Sequence, residues 1–315
     1  MKVFFPRGVA LLGTGAYLPA RVVTNADLVA LGAPLSEDEI VRLSGIRERR
    51  WAAPDEATSD LAAAAARAAL ERAGVAASAV DRLIVATVSP DHPSPSAACF
   101  AHALLGLGLA PALDVTASCS GFLYALDAGA RAVATGEDHV LCVAADVRSR
   151  YLDLTDRSTC ALFGDGAGAA LLGRGPEGEG IVAIAVYADG AGARSVHVPA
   201  GGSREPRAAD PRRHTIHMLE GPQIYVNAVE GMIEAGERVL AAAGVKLADV
   251  DLVIPHQANR RIIDRMTRLL RLPAERVYVN VDRVANISGA TVAVALDEAL
   301  RAGQVRPGNW VLLIS

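Results

Sequence analysis

The sequence has no Cys-x-x-Cys pair, no surplus of basic residues and no apolar run long enough to cross a bilayer. Its four cysteines, Cys99, Cys119, Cys142 and Cys160, stand apart, which argues against a zinc knot or a redox dithiol. Lys and Arg number 31 against 35 Asp and Glu, a formal net charge of -4. Without a general attraction for polyanions, nucleic acid is set aside as a partner. Of the 315 residues 51% are hydrophobic, yet Gly or a charge interrupts each apolar stretch before the roughly 18 residues a membrane helix needs. The apolar excess must therefore be buried within the fold or at a subunit interface. The amino terminus, MKVFFPRGVALLGTGAYLP, has one Lys and one Arg before a strand-like run and no cleavage site after a continuous apolar core. A cytoplasmic location with reduced thiols and no membrane association is expected. GTGAYL at 13–18 lacks the third glycine of a dinucleotide fingerprint, and GDGAGAALL reads as tight packing, so a nicotinamide cofactor is rejected.

What the sequence does contain is an internal repeat. AGVAASAVDRLI from Ala73 resembles AGVKLADVDLVI from Ala243, an offset of 170. Ala125-Leu126-Asp127 matches Ala295-Leu296-Asp297 at the same offset, and Arg131-Ala132 matches Arg301-Ala302. Agreement on one offset across segments about fifty residues apart indicates two copies of one unit. Each copy reads as a helix (60–73; 225–243), a Gly C-cap and a buried strand (83–88; 252–255). A second helix and strand follow (122–135 with 140–144; 290–302 with 310–314). Helices alternating with apolar strands predict an α/β fold with helix-covered sheets. The expected halves are 1–172 and 173–315, related by a pseudo-twofold axis. By the same offset, the first half has a strand at 168–172 that the second copy lacks.

In DVTASCSGF, 114–122, a short strand runs into Cys119 and then directly into an amphipathic helix. A thiol at that turn faces the positive end of the helix, which can lower its pKa from about 8.5. The other three cysteines read as buried core fillers. The offset maps Cys119 onto Gly289, inside Asn286-Ile287-Ser288-Gly289-Ala290-Thr291. A twofold relation would therefore bring these two loops together. His256 follows the strand ending at Pro255, at the carboxyl end where open α/β sheets bind ligands. Cys119, His256 and Asn286 are expected to converge on one pocket.

VTASCSGF, TDRSTCALFGDGAGAALL (155–172), HQANRRII (256–263) and NISGATVAVALDEAL (286–300), with TNADL (24–28) and SGIRERR (44–50), closely resemble the β-ketoacyl-acyl carrier protein synthase III family. The resemblance covers nearly the whole chain. It implies the thiolase-like fold, layered α-β-α-β-α, and a Cys119 nucleophile completed by His256 and Asn286. It also implies decarboxylating condensation of an acyl thioester with a malonyl thioester, in fatty acid or related secondary-metabolite biosynthesis. Arg157, Asn259 and Arg261 are assigned to binding the thioester carrier. A homodimer is expected, with an acyl carrier protein as partner and no metal or redox cofactor; acyl-CoA or acyl-ACP and malonyl-ACP are the substrates. Two other readings are an acyltransferase that passes the Cys119-bound acyl group to an alcohol or amine, and a non-catalytic partner subunit.

The family pattern is broken in three places. Glu39 stands where relatives carry a Trp that grips the CoA adenine with an Arg, here Arg157. A negative charge in place of a stacking face predicts weaker nucleotide binding and a carrier-protein donor. Ser94 stands where many relatives place a bulky Phe, which predicts room for a longer or branched acyl group. Relatives also continue past Ser315 with a Gly-rich turn, so either the chain runs on beyond Ser315 or this wall of the site is compromised. Arg260, Arg261, Arg265 and Arg268 follow His256 on a predicted helix, either as a solvated face or as a dock for an acidic carrier protein. Arg204, Arg207, Arg212 and Arg213 read as solvated loop residues.

Overall fold

The computed structural model describes residues 2–6 and 8–315. The first half opens with β1 (Val9–Tyr17), β2 (Arg21–Thr24), α1 (Asn25–Ala30), α2 (Glu37–Ser44), β3 (Glu48–Trp51), α3 (Thr58–Ala73) and β4 (Arg82–Ala86). It continues through α4 (Ala97–Leu105), β5 (Ala112–Val115), α5 (Gly121–Ala134), β6 (His139–Val147) and β7 (Asp165–Arg174). A short hairpin of β8 (Val196–His197) and β9 (His217–Met218) precedes α6 (Gly221–Ala243), β10 (Leu252–Pro255) and α7 (Arg260–Leu269). The chain then forms α8 (Val281–Val284), α9 (Ala290–Arg301) and β11 (Val311–Ile314).

The first sheet has the order β1-β7-β6-β4-β5, with β4 parallel to β5 and β6 and with β7 antiparallel to both its neighbours. Helices α3 and α4 pack their alanine-rich faces on one side of it. On its other side lie α5 and α9, whose apolar faces are also shared with β10 and β11. Helices α6 and α7 cover the far face of that second sheet. The result is the layered α-β-α-β-α arrangement that the family resemblance implies, with the helix-covered sheets that the alternation of helices and apolar strands predicts. The glycines of 13–18 serve this packing. A Cβ at Gly15 would come within 2.1 Å of Ala65 O, because α3 lies directly on β1. Gly168 of β7 meets Ala293 of α9 in the same way, at 2.5 Å.

The offset of 170 recurs in the structure. Gly74 and Gly244 end α3 and α6 with φ of +65° and +71°, and the short turns Ala77–Ala79 and Leu247–Asp249 follow them. Helix α6 begins four residues earlier than the periodicity predicts. Pro222, with its fixed φ and no N–H to leave unpaired, suits the first turn of a helix. Strand β4 ends at Ala86 rather than Val88, because the N–H of Val88 leaves the ladder for Asp146 Oδ1 at 2.9 Å.

Among the described residues no strand takes, in the second sheet, the place that β7 has in the first. That sheet is β10 and β11 alone. The apolar run Ile181–Tyr187, at the offset position of β1, accordingly forms no strand beyond an isolated bridge from Ile184 to Phe4. A strand is stabilised by its ladder partners, so a β-prone segment without one stays irregular.

Three of the family-like segments turn out to be structural clamps. Arg49 of SGIRERR is fully buried. Its guanidinium donates to Asn25 Oδ1 of TNADL at 2.8 Å and to Ala161 O of TDRSTCALF at 2.9 Å. Asn25 in turn donates to Ile46 O at 2.9 Å.

Candidate active site

Strand β5 leads through Thr116 and Ala117 into a tight turn, Ser118–Ser120, from which α5 rises at Gly121. Its counterpart is the turn between α8 and α9. Ser118 and Ser288 both have left-handed backbone, at φ +46° and +52°. The two turns touch: a Cβ on Gly289 would lie 2.9 Å from Ser118 O and 3.5 Å from Gly121 Cα. Such an approach is open only to glycine, and it brings Asn286 and Cys119 from distant parts of the chain to one place.

Cys119, His256 and Asn286 all line one cavity of about 1680 Å³, which runs between α5, α6 and β11 and is walled mainly by apolar side chains. The irregular 181–187 segment and β11 also line it. Asn259 and Arg261 also line the cavity; Arg157 and Ser94 do not.

Asn286 Oδ1 accepts the N–H of Ser288 at 2.8 Å. That bond fixes which way the amide faces and leaves its NH2 without a partner among the described residues. His256 follows β10, and its backbone N–H is held by Ile314 O at 2.8 Å. Its Nδ1 lies 2.6 Å from Thr291 Oγ1. Its Nε2 is buried and has no hydrogen-bond partner among the described residues. Burial pushes the imidazole down to about 4, so the ring is neutral near pH 7.

Burial pushes the Cys119 thiol up to about 11; the charge of Asp146 acts in the same direction and Arg148 opposes it. The helix start was expected to lower this thiol, and in the free protein desolvation by the cavity walls outweighs it. The resting group is a thiol, which must pass its proton on before it can attack. Arg148 and Asp146 were not anticipated from the sequence, where the predicted strand stops at Ala144. Asp146 is buried and accepts from Thr87 Oγ1, Val88 N–H and Ser89 Oγ at 3.1, 2.9 and 2.9 Å. Ser315, another unanticipated contact, donates through Oγ to Cys119 O at 2.9 Å.

The other cysteines divide. Cys142 and Cys160 are buried as expected, but Cys99 is exposed. Helix α4 turns Ala97, Ala98, Ala101 and Leu105 inward, which leaves position 99 on the opposite face. Asn259 has a local role as the N-cap of α7, accepting from Arg261 N–H at 2.8 Å while its amide donates to Leu43 O at 3.1 Å. Arg157 donates to Glu39 Oε1 and to Pro34 O, both at 2.7 Å.

The family model described as 3-oxoacyl-(acyl-carrier-protein) synthase III matches residues 113–195, and that of its C-terminal part matches 240–315. The protein named beta-ketoacyl-(acyl-carrier-protein) synthase III from Caldanaerobacter subterraneus subsp. tengcongensis is 44% identical over 308 residues, 97% of this chain and 93% of that protein. The chain belongs to the 3-oxoacyl-(acyl-carrier-protein) synthase III family. Residues 46–146 also match the thiolase N-terminal domain model. The crystal structure of the synthase III of Thermus thermophilus superposes with a TM-score of 0.89 at 41% identity, over 96% of this chain and 94% of that one. The priming β-ketosynthase of the R1128 polyketide pathway is similar too, with a TM-score of 0.87, 35% identity and coverage of 99% and 93%. The fold is therefore thiolase-like, and the segments that carry Cys119, His256 and Asn286 fall within the regions matched by the synthase III models.

Proposed function

We propose that this chain catalyses a decarboxylating Claisen condensation of an acyl thioester with a malonyl thioester through an acyl-Cys119 intermediate. The observation that carries this reading is the convergence on one cavity of a free thiol, the unpartnered Nε2 of His256 and the free amide of Asn286. Attack by Cys119 on the acyl thioester forms the acyl–sulfur bond and breaks the bond to the first carrier. Nε2 takes the thiol proton and returns it to the departing carrier thiolate, so this half-reaction is proton-neutral. The malonyl thioester then binds with its carbonyl oxygen facing Nε2–H and the Asn286 NH2. Loss of CO2 leaves an enolate, and each well-placed donor stabilises it by about 3–4 kcal/mol. The enolate carbon attacks the acyl carbonyl, the Cys119 thiolate leaves, and one proton from solvent restores the thiol. An uncharged amide suits the site because it donates without fixing a second charge there. These steps use no metal or redox group.

An acyl carrier protein is the proposed partner. Arg261, Arg265 and Arg268 are exposed on α7, with Arg261 at the cavity mouth. The Glu39–Arg157 ion pair supports a carrier-protein acyl donor, because the arginine that would meet a nucleotide is already engaged. A homodimer is supported by the edge strand β5, with Leu113 exposed on it, and by the exposed Leu104 and Leu109 in the segment leading into it. A cytoplasmic setting suits four free thiols. The division into 1–172 and 173–315 as two copies of one unit is likewise part of this reading, supported by the paired turns.

Intact mass after incubation with an acyl donor, then with malonyl-carrier protein, tests the proposal. The expected result is an adduct on Cys119 that discharges with CO2 release. No adduct would indicate a non-catalytic subunit. An adduct that ignores malonyl groups but transfers to an alcohol or amine would replace condensation with simple acyl transfer.

A further inference from the structure

The two half-reactions ask opposite things of His256. Accepting the thiol proton of Cys119 requires a lone pair on Nε2, and hence a proton on Nδ1. Donating to the malonyl carbonyl requires Nε2–H, and hence a lone pair on Nδ1. Whatever faces Nδ1 decides whether both forms are accessible. A backbone carbonyl or a carboxylate only accepts, and would hold the ring in the first form.

In this structure the group facing Nδ1 is the Thr291 hydroxyl, at 2.6 Å. Thr291 is fully buried in the first turn of α9. Its backbone N–H is satisfied by Ser288 O, and the bond to His256 is the one its hydroxyl makes among the described residues. At this position a threonine hydroxyl commonly turns back to a carbonyl of the preceding turn; here it reaches across to another element. Its place in the duplication sharpens the point. The offset of 170 pairs Thr291 with Gly121, so the first half has no side chain there at all.

We propose that Thr291 is a positioning residue whose hydroxyl, able to donate or accept, holds His256 in whichever tautomer each half-reaction needs. Passing from one form to the other takes a proton from cavity solvent at Nε2 and gives the Nδ1 proton up to solvent by exchange, so no net proton is gained or lost. Thr291 stays still and only its O–H rotates.

This inference rests on the condensing reading above, and the test separates the two. Thr291→Val keeps the shape and removes the hydroxyl; Thr291→Ser keeps the hydroxyl and removes the methyl. Each is compared with the unaltered protein in acyl-Cys119 formation, in malonyl-dependent CO2 release and in the 15N NMR spectrum of histidine-labelled enzyme. If the unaltered protein does not condense, the proposed function fails whatever the variants do. If it does, Thr291→Val is expected to lower kcat of condensation by roughly 10- to 100-fold, the size of effect that loss of an outer partner has on metal-binding histidines, with little change in KM. Thr291→Ser is expected to stay within a few-fold of the unaltered protein. The 15N shifts of His256 should move in the Val variant and not in the Ser variant. Should Thr291→Val not fold, Thr291→Ala takes its place. Unchanged kcat and 15N shifts in the hydroxyl-free variant, or equal damage in the Ser variant, would overturn the inference.

Discussion

Ser118 and Ser288 stand 170 positions apart in the chain and share the same left-handed backbone, one preceding Cys119 and the other Gly289. A left-handed conformation strains any residue with a Cβ, at a cost on the order of 1–3 kcal/mol, and such strain persists only where the surroundings enforce it. Here the enforcing contact is the close approach of the two turns, and it sets where the thiol and the Asn286 amide meet.

Replacing Gly289 by Ala tests that contact. The added methyl would sit 2.9 Å from Ser118 O, a backbone atom that cannot swing aside. Overpacking of this kind is expected to cost about 1–3 kcal/mol in denaturant unfolding and to slow acylation of Cys119. An unchanged unfolding midpoint would show that the two turns are not in register as described.

Asn286→Ala removes the amide donor while leaving the thiol and the histidine in place. Malonyl-dependent CO2 release is expected to fall by roughly 10²–10³-fold, with acyl-Cys119 forming at a rate within a few-fold of the unaltered protein. Equal loss in both half-reactions would assign Asn286 to packing instead.

The buried histidine makes a signed prediction for stability against pH. His256 is held down to about 4 against an ordinary value of 6.5, so below pH 6.5 the unfolded chain binds a proton that the folded chain refuses. Stability is complete above about pH 6.5 and is lost as pH falls toward 4, by roughly 3 kcal/mol in all. Because burial also raises the Asp146 and Asp165 carboxyls, the measurement is the difference between the unaltered protein and His256→Gln. Parallel curves for the two would contradict the burial argument. Cys119, raised to about 11, acts with the opposite sign: its contribution is present below about pH 9 and fades above it.

Charge reversal of Arg261 should separate protein recognition from chemistry. Arg261→Glu is expected to lower kcat/KM for malonyl-carrier protein and to flatten its salt dependence, since screening acts on exposed charge pairs. Turnover of a small malonyl thioester should change far less. A like loss with both substrates would place Arg261 in the reaction rather than in docking.

Glu39→Gln keeps the hydrogen bonds that cap α2 through Ser36 while removing the charge that holds Arg157. KM for acyl-CoA is expected to fall several-fold at low salt, with KM for the acyl-carrier protein unchanged. If acyl-CoA is used no better, the ion pair does not set the choice of donor.

Much of the architecture was legible in the order of residues. The AGV turns, the C-cap glycines and the apolar runs are local signals, and a duplicated sequence repeats them at a fixed spacing. From that spacing alone Cys119 maps onto the Asn286 loop, and His256 onto a strand end, because both placements follow from chain order and from how strands and helices alternate. Nonlocal electrostatics and packing were not legible. The sequence suggests a thiol lowered by a helix start; only the assembled cavity walls, which desolvate Cys119, decide that it rests protonated. The exposure of Cys99 depends on which face of α4 meets the sheet. The bond from Thr291 to His256, between residues 35 positions apart, exists because α9 packs against β10 from the neighbouring layer of the fold. The residues and their order determined which groups are available for chemistry. Tertiary structure decided their protonation and partners, because those depend on what surrounds each group in space.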